Sequence, residues 1–215
     1  MSTDQLQRRF ALACFAFSVG QSSSLINDND ECDWPGISCN ASGRVEEINY
    51  SDESLFGSLV PELAMLSDLV SLDMSYNAIE GPIPTEFGLM SKLRVLRLDR
   101  NDISGQIPRD VGDMLELRVV HLEWNDLTGS FPNDIFSRLT NLIELQLHTN
   151  KLTGEVTDQF CDLGVDTFTI DCREVDVDPT CYSQCWFQCG GNTGIPCNGR
   201  RVRGLTDYAM TEGNK

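Results

Sequence analysis

Basic side chains and long apolar runs are both scarce in this sequence. The 215 residues contain 16 lysines and arginines against 33 aspartates and glutamates, so the formal net charge is −17. Because a nucleic-acid backbone requires a basic surface, this balance argues against DNA or RNA as a partner. The apolar runs fall short of the roughly 18 residues that a membrane-spanning helix needs, so the sequence predicts no membrane span.

A repeat of 24 or 25 residues is the strongest pattern in the chain. Its template is the segment 93–114, which reads LRVLRLDRNDISGQIPRDVGDM. Four well-preserved copies share an opening leucine (Leu69, Leu93, Leu117, Leu142), an asparagine (Asn77, Asn101, Asn125, Asn150) and a glycine (Gly81, Gly105, Gly129, Gly154). Degenerate copies begin at Val45 and Val165 and carry Glu53 and Arg173 in the asparagine slot. Six copies therefore fill residues 45–173, and atypical end copies suit a stacked array whose outer faces meet water.

These slots resemble LxxLxLxxNxLxGxIPxxLGxL, the plant-type leucine-rich repeat. The resemblance implies an α/β solenoid, a right-handed superhelix in which each LxxLxL segment contributes one strand to a parallel concave sheet of about six strands. An asparagine amide offers donors and an acceptor, so stacked asparagines are expected to satisfy backbone groups after each strand. Glycine adopts backbone angles closed to other residues, which lets the chain reverse in every coil.

Four regions follow from this pattern. Residues 1–44 form an amino-terminal cap, residues 45–173 the repeats, residues 174–197 a cysteine-rich carboxy-terminal cap, and residues 198–215 a flexible tail. In the first cap, apolar residues recur at helical spacing up to about residue 19, at Leu6, Phe10, Ala13, Cys14 and Phe17. We predict a cap helix with Asp4 at its start. A signal peptide is the alternative, which the short apolar part and the lack of a clear cleavage site disfavour.

The cysteines indicate disulfides at both ends. Cys32 and Cys39 flank Trp34 in a segment that resembles the cap motif CxWxGVxC of plant-type repeat proteins, and the resemblance implies that they are bonded. Six more are predicted to form disulfides: Cys161, Cys172, Cys181, Cys185, Cys189 and Cys197. Their pairing stays open, although Cys161 and Cys172 flank the last strand and suit a bridge. Cys14 is left as a buried free thiol.

A zinc site built from Cys181, Cys185 and Cys189 is the alternative to disulfides at this end. Their spacings are not those of a zinc motif and no histidine lies nearby in the sequence, so disulfides are favoured. This cysteine cluster is more similar to algal or diatom-like repeat proteins than to the paired-cysteine cap of land-plant members. Two glycosylation sequons begin at Asn40 and Asn49. Together with disulfides, they favour an extracellular or secretory-pathway location.

Candidate binding residues come from the positions between the leucines, which face outwards in columns along the sheet. They comprise four arginines (Arg94, Arg97, Arg100, Arg118), both histidines (His121, His148), two aromatic residues (Tyr76, Trp124) and three acids (Asp73, Asp99, Glu123). Arginine, tryptophan and tyrosine dominate binding interfaces, and arginine suits carboxylates. We predict a surface that binds a protein, peptide or glycan partner, in particular one with acidic groups. The alternative is a set of lateral ion pairs such as Arg97 with Asp73, worth little energy.

His121, Glu123, Glu144 and His148 are the one group with catalytic side chains, two imidazoles and two carboxylates. Because an open surface does not exclude water, we predict no enzyme, no cofactor and no metal site. A weak metal-binding or pH-sensitive contact is the alternative. The resemblance implies an extracellular recognition module. A structural cell-wall or matrix protein without a discrete ligand, or a truncated receptor ectodomain, are the other interpretations.

Overall fold

The computed structural model describes residues 3–20, 30–171, 175–177 and 187–189. The helices are α1 (Thr3–Ser18), α2 (Asn133–Phe136) and α3 (Asp158–Cys161), with 3-10 helices at Glu31–Asp33, Pro61–Met65, Thr85–Leu89 and Arg109–Asp113. The strands are β1 (Ile37–Cys39), β2 (Val45–Asn49), β3 (Phe56–Ser58), β4 (Ser71–Asp73), β5 (Ala78–Gly81), β6 (Val95–Arg97), β7 (Asp102–Gly105), β8 (Val119–His121), β9 (Asp126–Ser130), β10 (Glu144–Gln146), β11 (Lys151–Val156), β12 (Thr167–Ile170), β13 (Val175–Val177) and β14 (Phe187–Cys189).

The main sheet confirms the predicted solenoid. The six repeat strands β2, β4, β6, β8, β10 and β12 are parallel neighbours in sequence order. Two further strands extend this sheet, because β1 pairs antiparallel with β2 and β14 pairs parallel with β12. The slot leucines are fully buried between this sheet and the opposite side of the coil, so successive copies share one continuous core.

A second parallel sheet lies outside what the sequence analysis predicted. Its order is β13-β11-β9-β7-β5-β3, one strand for each coil. Four of these strands follow the repeat asparagines, and three of the four end at the repeat glycines Gly81 and Gly105 or one residue beyond Gly129, each with positive φ. Most are three to five residues long, too short for alternation of apolar and polar residues to identify them.

The repeat asparagines act as predicted. In the third copy, Asn101 Nδ2 donates to the Met74 carbonyl at 2.9 Å, and its Oδ1 accepts from the Ile79 backbone N–H at 2.9 Å. Asn125 bridges the next pair of coils in the same way, through the Leu98 carbonyl and the Ile103 N–H. Each side chain therefore satisfies backbone groups of its own coil and the preceding one.

The amino-terminal cap contains the predicted helix, but its buried face is different. Ala11, Leu12, Phe15 and Ala16 pack against the core, whereas Leu6, Phe10 and Phe17 are exposed. Cys14 is a free thiol, as predicted, but it is only half-buried. The prediction followed one apolar stripe of a helix that carries two. The stripe that packs against the core is the one that includes the small residues Ala11 and Ala16, which allow close approach.

Asp4 lies inside α1 and forms ion pairs with Arg8 and with Arg44. Arg8 also pairs with Glu31, which is 0 % exposed, at 3.0 Å. This network ties α1 to the loop that precedes β1. A Cys32–Cys39 disulfide closes the same loop, with the two Cα atoms 5.5 Å apart.

Cys161 is also disulfide-bonded. The predictions for Cys172, Cys181, Cys185 and Cys197, for the side chain of Cys189 and for the tail 198–215 lie outside the described residues. Asn49 is exposed on β2, while Asn40 Oδ1 accepts from the Ser42 N–H at 2.9 Å in a turn. Glycosylation at either asparagine stays a prediction.

Candidate ligand-binding surface

The strand register brings the candidate residues together in ladders across the concave sheet. One ladder aligns residues that each end their strand or lie next to its end: Asn49, Asp73, Arg97, His121, Gln146 and Thr169. A second ladder precedes the strands, where the Arg118 backbone N–H donates to the Arg94 carbonyl at 2.8 Å. The centre of the sheet therefore carries arginines on two adjacent coils.

Tyr76, Arg100 and Trp124 form a stack along a third ladder. The Arg100 guanidinium carbon lies 4.9 Å from the centre of the Tyr76 ring and 4.9 Å from the centre of the Trp124 ring. The aromatic side chains remain 52 % and 44 % exposed. Arg100 is thus held between two rings by cation–π contacts, an arrangement that the sequence analysis did not foresee.

The stack stands on strained backbone. Tyr76, Arg100 and Trp124 have φ values of 57°, 54° and 56°, in the left-handed region that side chains with a Cβ disfavour. Asp52 and Thr149 occupy the equivalent position in neighbouring coils, with φ values of 60° and 58°. The left-handed residue therefore recurs once in each of these coils, and its side chain lies in line with its counterparts at the end of the concave strands.

The remaining arginines differ in their partners. Arg94 pairs with Glu116 at 3.4 Å, and both side chains are about half exposed. Arg97 and Arg118 are exposed, and within the described part of the chain neither has a side-chain hydrogen bond or ion pair. The lateral pair of Arg97 with Asp73 that the sequence offered as an alternative is not formed. Two guanidinium groups are thus available to a ligand at this surface.

Three polar residues between the arginines are buried, which corrects the expectation of an open surface. Asp99 is 6 % exposed and His121 and Glu123 are each 8 % exposed. The repeat pattern shows only which way a residue faces. How far its long neighbours cover it depends on how their side chains pack across the coils.

The burial changes the chemistry of the two acids. Desolvation, with a smaller contribution from the neighbouring Asp99 carboxylate, raises the pKa of Glu123 to about 7. Desolvation likewise raises the pKa of Asp99 above the ordinary aspartate value. Arg97 and Arg100 act in the opposite direction on Glu123. Glu123 Oε2 is buried and has no hydrogen-bond partner in the described structure.

The four residues considered for catalysis do not form one group. Glu144 Oε2 lies 3.1 Å from His121 Nε2, and Gln146 Nε2 lies 3.2 Å from the same nitrogen. His148 instead contacts Thr169 Oγ1 through Nδ1 at 2.8 Å, and burial lowers the pKa of this histidine. Asp99, which the catalytic group omitted, takes the place beside His121 and Glu123.

The repeats and the two sheets that they form define the class of protein. Residues 68–90 and 92–114 each match the family model of the leucine-rich repeat. The chain therefore contains leucine-rich repeats, and over most of its length it resembles plant leucine-rich-repeat ectodomains.

Its curated relatives are plant receptor-like proteins matched over short stretches. It is 49 % identical over 49 residues to Protein MALE DISCOVERER 2 of Arabidopsis thaliana, which is 23 % of this chain and 7 % of that protein. It is 36 % identical over 56 residues to MDIS1-interacting receptor like kinase 1 of the same plant, which is 26 % of this chain and 6 % of that protein. The matches therefore span less than a tenth of either relative.

Solved structures match over most of the chain. The leucine-rich-repeat ectodomain of the receptor kinase SOBIR1 from Arabidopsis thaliana is 26 % identical with a TM-score of 0.69, over 82 % of this chain and 97 % of that one. The ectodomain of GASSHO1/SCHENGEN3 from the same plant, in complex with CASPARIAN STRIP INTEGRITY FACTOR 2, is 25 % identical with a TM-score of 0.69, over 84 % of this chain and 21 % of that one. Among the helices described here, none has the length and apolar character to cross a bilayer.

Proposed function

We propose that this protein is an extracellular, non-enzymatic recognition module that binds a protein or peptide with acidic groups through its concave sheet. The observation that carries the proposal is the pair of exposed arginines, Arg97 and Arg118, which have no ion-pair partner among the described residues. An unpaired guanidinium fork binds a carboxylate with two parallel hydrogen bonds. Because the chain as a whole has a net charge of −17, these arginines form a basic patch on an otherwise acidic protein.

The aromatic stack supports the same surface. Tyr76 and Trp124 present roughly half of their side chains to solvent next to the arginines. Because Arg100 is clamped between them, the rings lose little side-chain entropy when a ligand packs on them. Rigid aromatic and arginine side chains of this kind are typical anchors of binding interfaces. We expect the ligand to place an apolar or planar group on the stack and its acidic groups over Arg97 and Arg118.

Solved complexes of similar proteins are consistent with a protein or peptide ligand. GASSHO1/SCHENGEN3 was solved in complex with CASPARIAN STRIP INTEGRITY FACTOR 2, and the ectodomain fold also occurs in the BIR3–SERK2 complex, which is 29 % identical to this chain with a TM-score of 0.59. Both structures are complexes with a second named component. These likenesses support a protein or peptide ligand for this chain, and the acidic character of the ligand comes from the arginines alone.

Binding of fluorescent peptide pools tests the proposal. We expect an Asp/Glu-rich pool that contains aromatic residues to bind more tightly than a neutral pool of the same length, as measured by fluorescence anisotropy. The Arg97→Glu/Arg118→Glu double variant should lose at least about tenfold in affinity for the acidic pool. Arg109→Glu is the matched control, because Arg109 is exposed on the 3-10 helix between β7 and β8, outside the concave sheet.

Two results would overturn the proposal. One is equal affinity of the wild-type protein for the acidic and the neutral pools. The other is unchanged affinity of the double variant in a protein whose thermal unfolding matches that of the wild type. The milder Arg97→Gln/Arg118→Gln variant removes both charges without adding carboxylates beside Asp99, so it provides a second reading should charge reversal disturb folding.

A further inference from the structure

Asp99, His121 and Glu123 converge beneath the concave surface. One potential ligand atom from each, a carboxylate oxygen or an imidazole nitrogen, lies within 4.8 Å of the other two. All three residues are more than nine-tenths buried. They come from adjacent coils, since Asp99 follows β6 while His121 ends β8 and Glu123 follows it. The repeat register thus holds them together without any contribution from a flexible loop.

An unsatisfied oxygen marks this cluster as incomplete. Glu123 Oε2 is buried and has no hydrogen-bond partner among the described residues. A buried carboxylate oxygen without a donor costs free energy, and two carboxylates side by side add repulsion. Such a group is expected to have a positively charged counterpart. The guanidinium of Arg100, a cation near Glu123, is instead held between the rings of Tyr76 and Trp124.

The imidazole is already oriented. Glu144 Oε2 and Gln146 Nε2 lie 3.1 Å and 3.2 Å from Nε2 of His121. A carboxylate on one ring nitrogen is the usual outer partner of a metal-binding histidine, because it fixes the ring and raises the basicity of the other nitrogen. The same arrangement leaves Nδ1 of His121 as the nitrogen that a ligand ion would use.

We propose that Asp99, His121 and Glu123 form a binding site for one divalent transition-metal ion, with Zn²⁺ as the best fit. One imidazole and two carboxylates suit Zn²⁺, whereas Ca²⁺ and Mg²⁺ favour oxygen ligands throughout. Bonds of about 2.0 to 2.2 Å place ligand atoms about 3.3 to 3.6 Å apart around one tetrahedral ion. Small side-chain rotations therefore close the cluster onto the ion. Three protein ligands leave at least one coordination position for water.

The charges around the site act in both directions on a bound metal ion. Arg97 and Arg100 are cations near Glu123 and oppose a metal ion, while Asp73, near Asp99, and Asp171, near His148, favour one. Arg97 is exposed, so solvent screens it, and Arg100 is held by its stack. The two buried carboxylates of the site neutralise a divalent ion directly. Zinc binding is measured without any peptide, so its outcome is independent of whether the proposed peptide-binding function is correct.

Calorimetric titration of the full chain with Zn²⁺, in protein without a polyhistidine tag, is the test. We expect one ion per chain at this site and a loss of at least about tenfold in affinity for Glu123→Gln and for Asp99→Asn. Glu80→Gln, which alters an exposed glutamate on β5, should bind as the wild type does. Two separate variants keep the test informative if one of them fails to fold, as judged by circular dichroism with chelator present.

Cobalt substitution locates the ligands independently of affinity. With Co²⁺ in place of Zn²⁺, the visible bands of a site with nitrogen and oxygen ligands should appear, and a thiolate-to-cobalt charge-transfer band should be missing. Intense thiolate bands would assign the metal to cysteines and overturn the proposal. So would the absence of saturable binding by the wild-type chain, or equal affinity of the wild type, Glu123→Gln and Asp99→Asn.

Discussion

Two buried glutamates in this molecule have opposite surroundings. Glu31, in the amino-terminal cap, is 0 % exposed, and Arg8 Nε donates to its Oε1 at 3.1 Å. Glu123, on the concave surface, is 8 % exposed and lies near a second acid, Asp99, and its Oε2 has no hydrogen-bond partner in the described part of the chain. The first carboxylate is fully used in holding α1 to the loop that precedes β1. The Glu123 carboxylate is held in place by the fold, but the fold supplies no hydrogen-bond donor to its Oε2 among the described residues. A binding site requires such an available ligand atom.

Removing Arg8 should have the largest effect on stability. Arg8→Ala leaves Glu31 buried without its cation, and breaking a buried ion pair from one side costs about 3–5 kcal/mol. Denaturant unfolding measures the change in the free energy of unfolding. Arg109→Ala, at an arginine whose side chain is 88 % exposed, should change it by less than about 0.5 kcal/mol. A loss below about 1 kcal/mol for Arg8→Ala would show that the cap pair is not structural.

Glu123→Gln should increase the stability of the protein at alkaline pH. The folded-state pKa of about 7 lies above the ordinary glutamate value of 4.5, so the stability that this group contributes is fully present below pH 4.5 and is lost as the pH rises through 7. With chelator present, the variant should therefore be more stable than the wild type at about pH 8, by about 2–3 kcal/mol, and the difference should shrink towards about pH 5. Unfolding curves that differ equally at both pH values would contradict this assignment.

The stack of Tyr76, Arg100 and Trp124 should contribute less. Arg100→Ala removes two cation–π contacts at a partly exposed site, worth about 1 kcal/mol together. Arg100→Gly removes the same contacts but also relieves the left-handed backbone at φ 54°, so it should be more stable than Arg100→Ala by roughly 1 kcal/mol. Thermal unfolding compares the two. Equal stability of both variants would argue against strain at this position.

The smallest effect is expected at Asp68, where Lys92 and Arg44 link the cap to the repeats. Hydrogen bonding to Lys92 is the main cause that lowers the pKa of Asp68, so its contribution is present above pH 3.8 and is lost as the pH falls through the lower folded-state value. Asp68→Asn should cost up to about 1 kcal/mol at neutral pH. The cost should vanish at strongly acidic pH. A cost that persists there would point to packing instead of charge.

The sequence was sufficient for the repeat because its slots have strict requirements. Leu96 must be buried, and Asn101 must supply both donors and an acceptor to neighbouring coils. These demands recur in every copy and are therefore visible in the pattern. The second sheet was missed because its strands are short and only partly buried, and the buried face of α1 was misjudged because Phe10 and Phe15 lie on competing apolar stripes.

The candidate surface was less predictable than the fold. Strand alternation correctly gave the ladders on which Arg97 and His121 lie. It did not give the clamping of Arg100 between two rings or the burial of Asp99 and Glu123, because both depend on how long side chains from three coils pack together. Side-chain size at the strand ends is the signal that was present, since Tyr76, Arg100 and Trp124 follow one another at the same slot.

Hydrogen exchange of the chain with and without the acidic peptide pool tests the central claim most directly. Our account predicts slower exchange at residues 94–100 and 118–124, which hold the exposed arginines, the stack and the buried acids. The 3-10 helices Thr85–Leu89 and Arg109–Asp113 should be unaffected. Protection confined to those helices or to the exposed face of α1, with none on the concave strands, would contradict it.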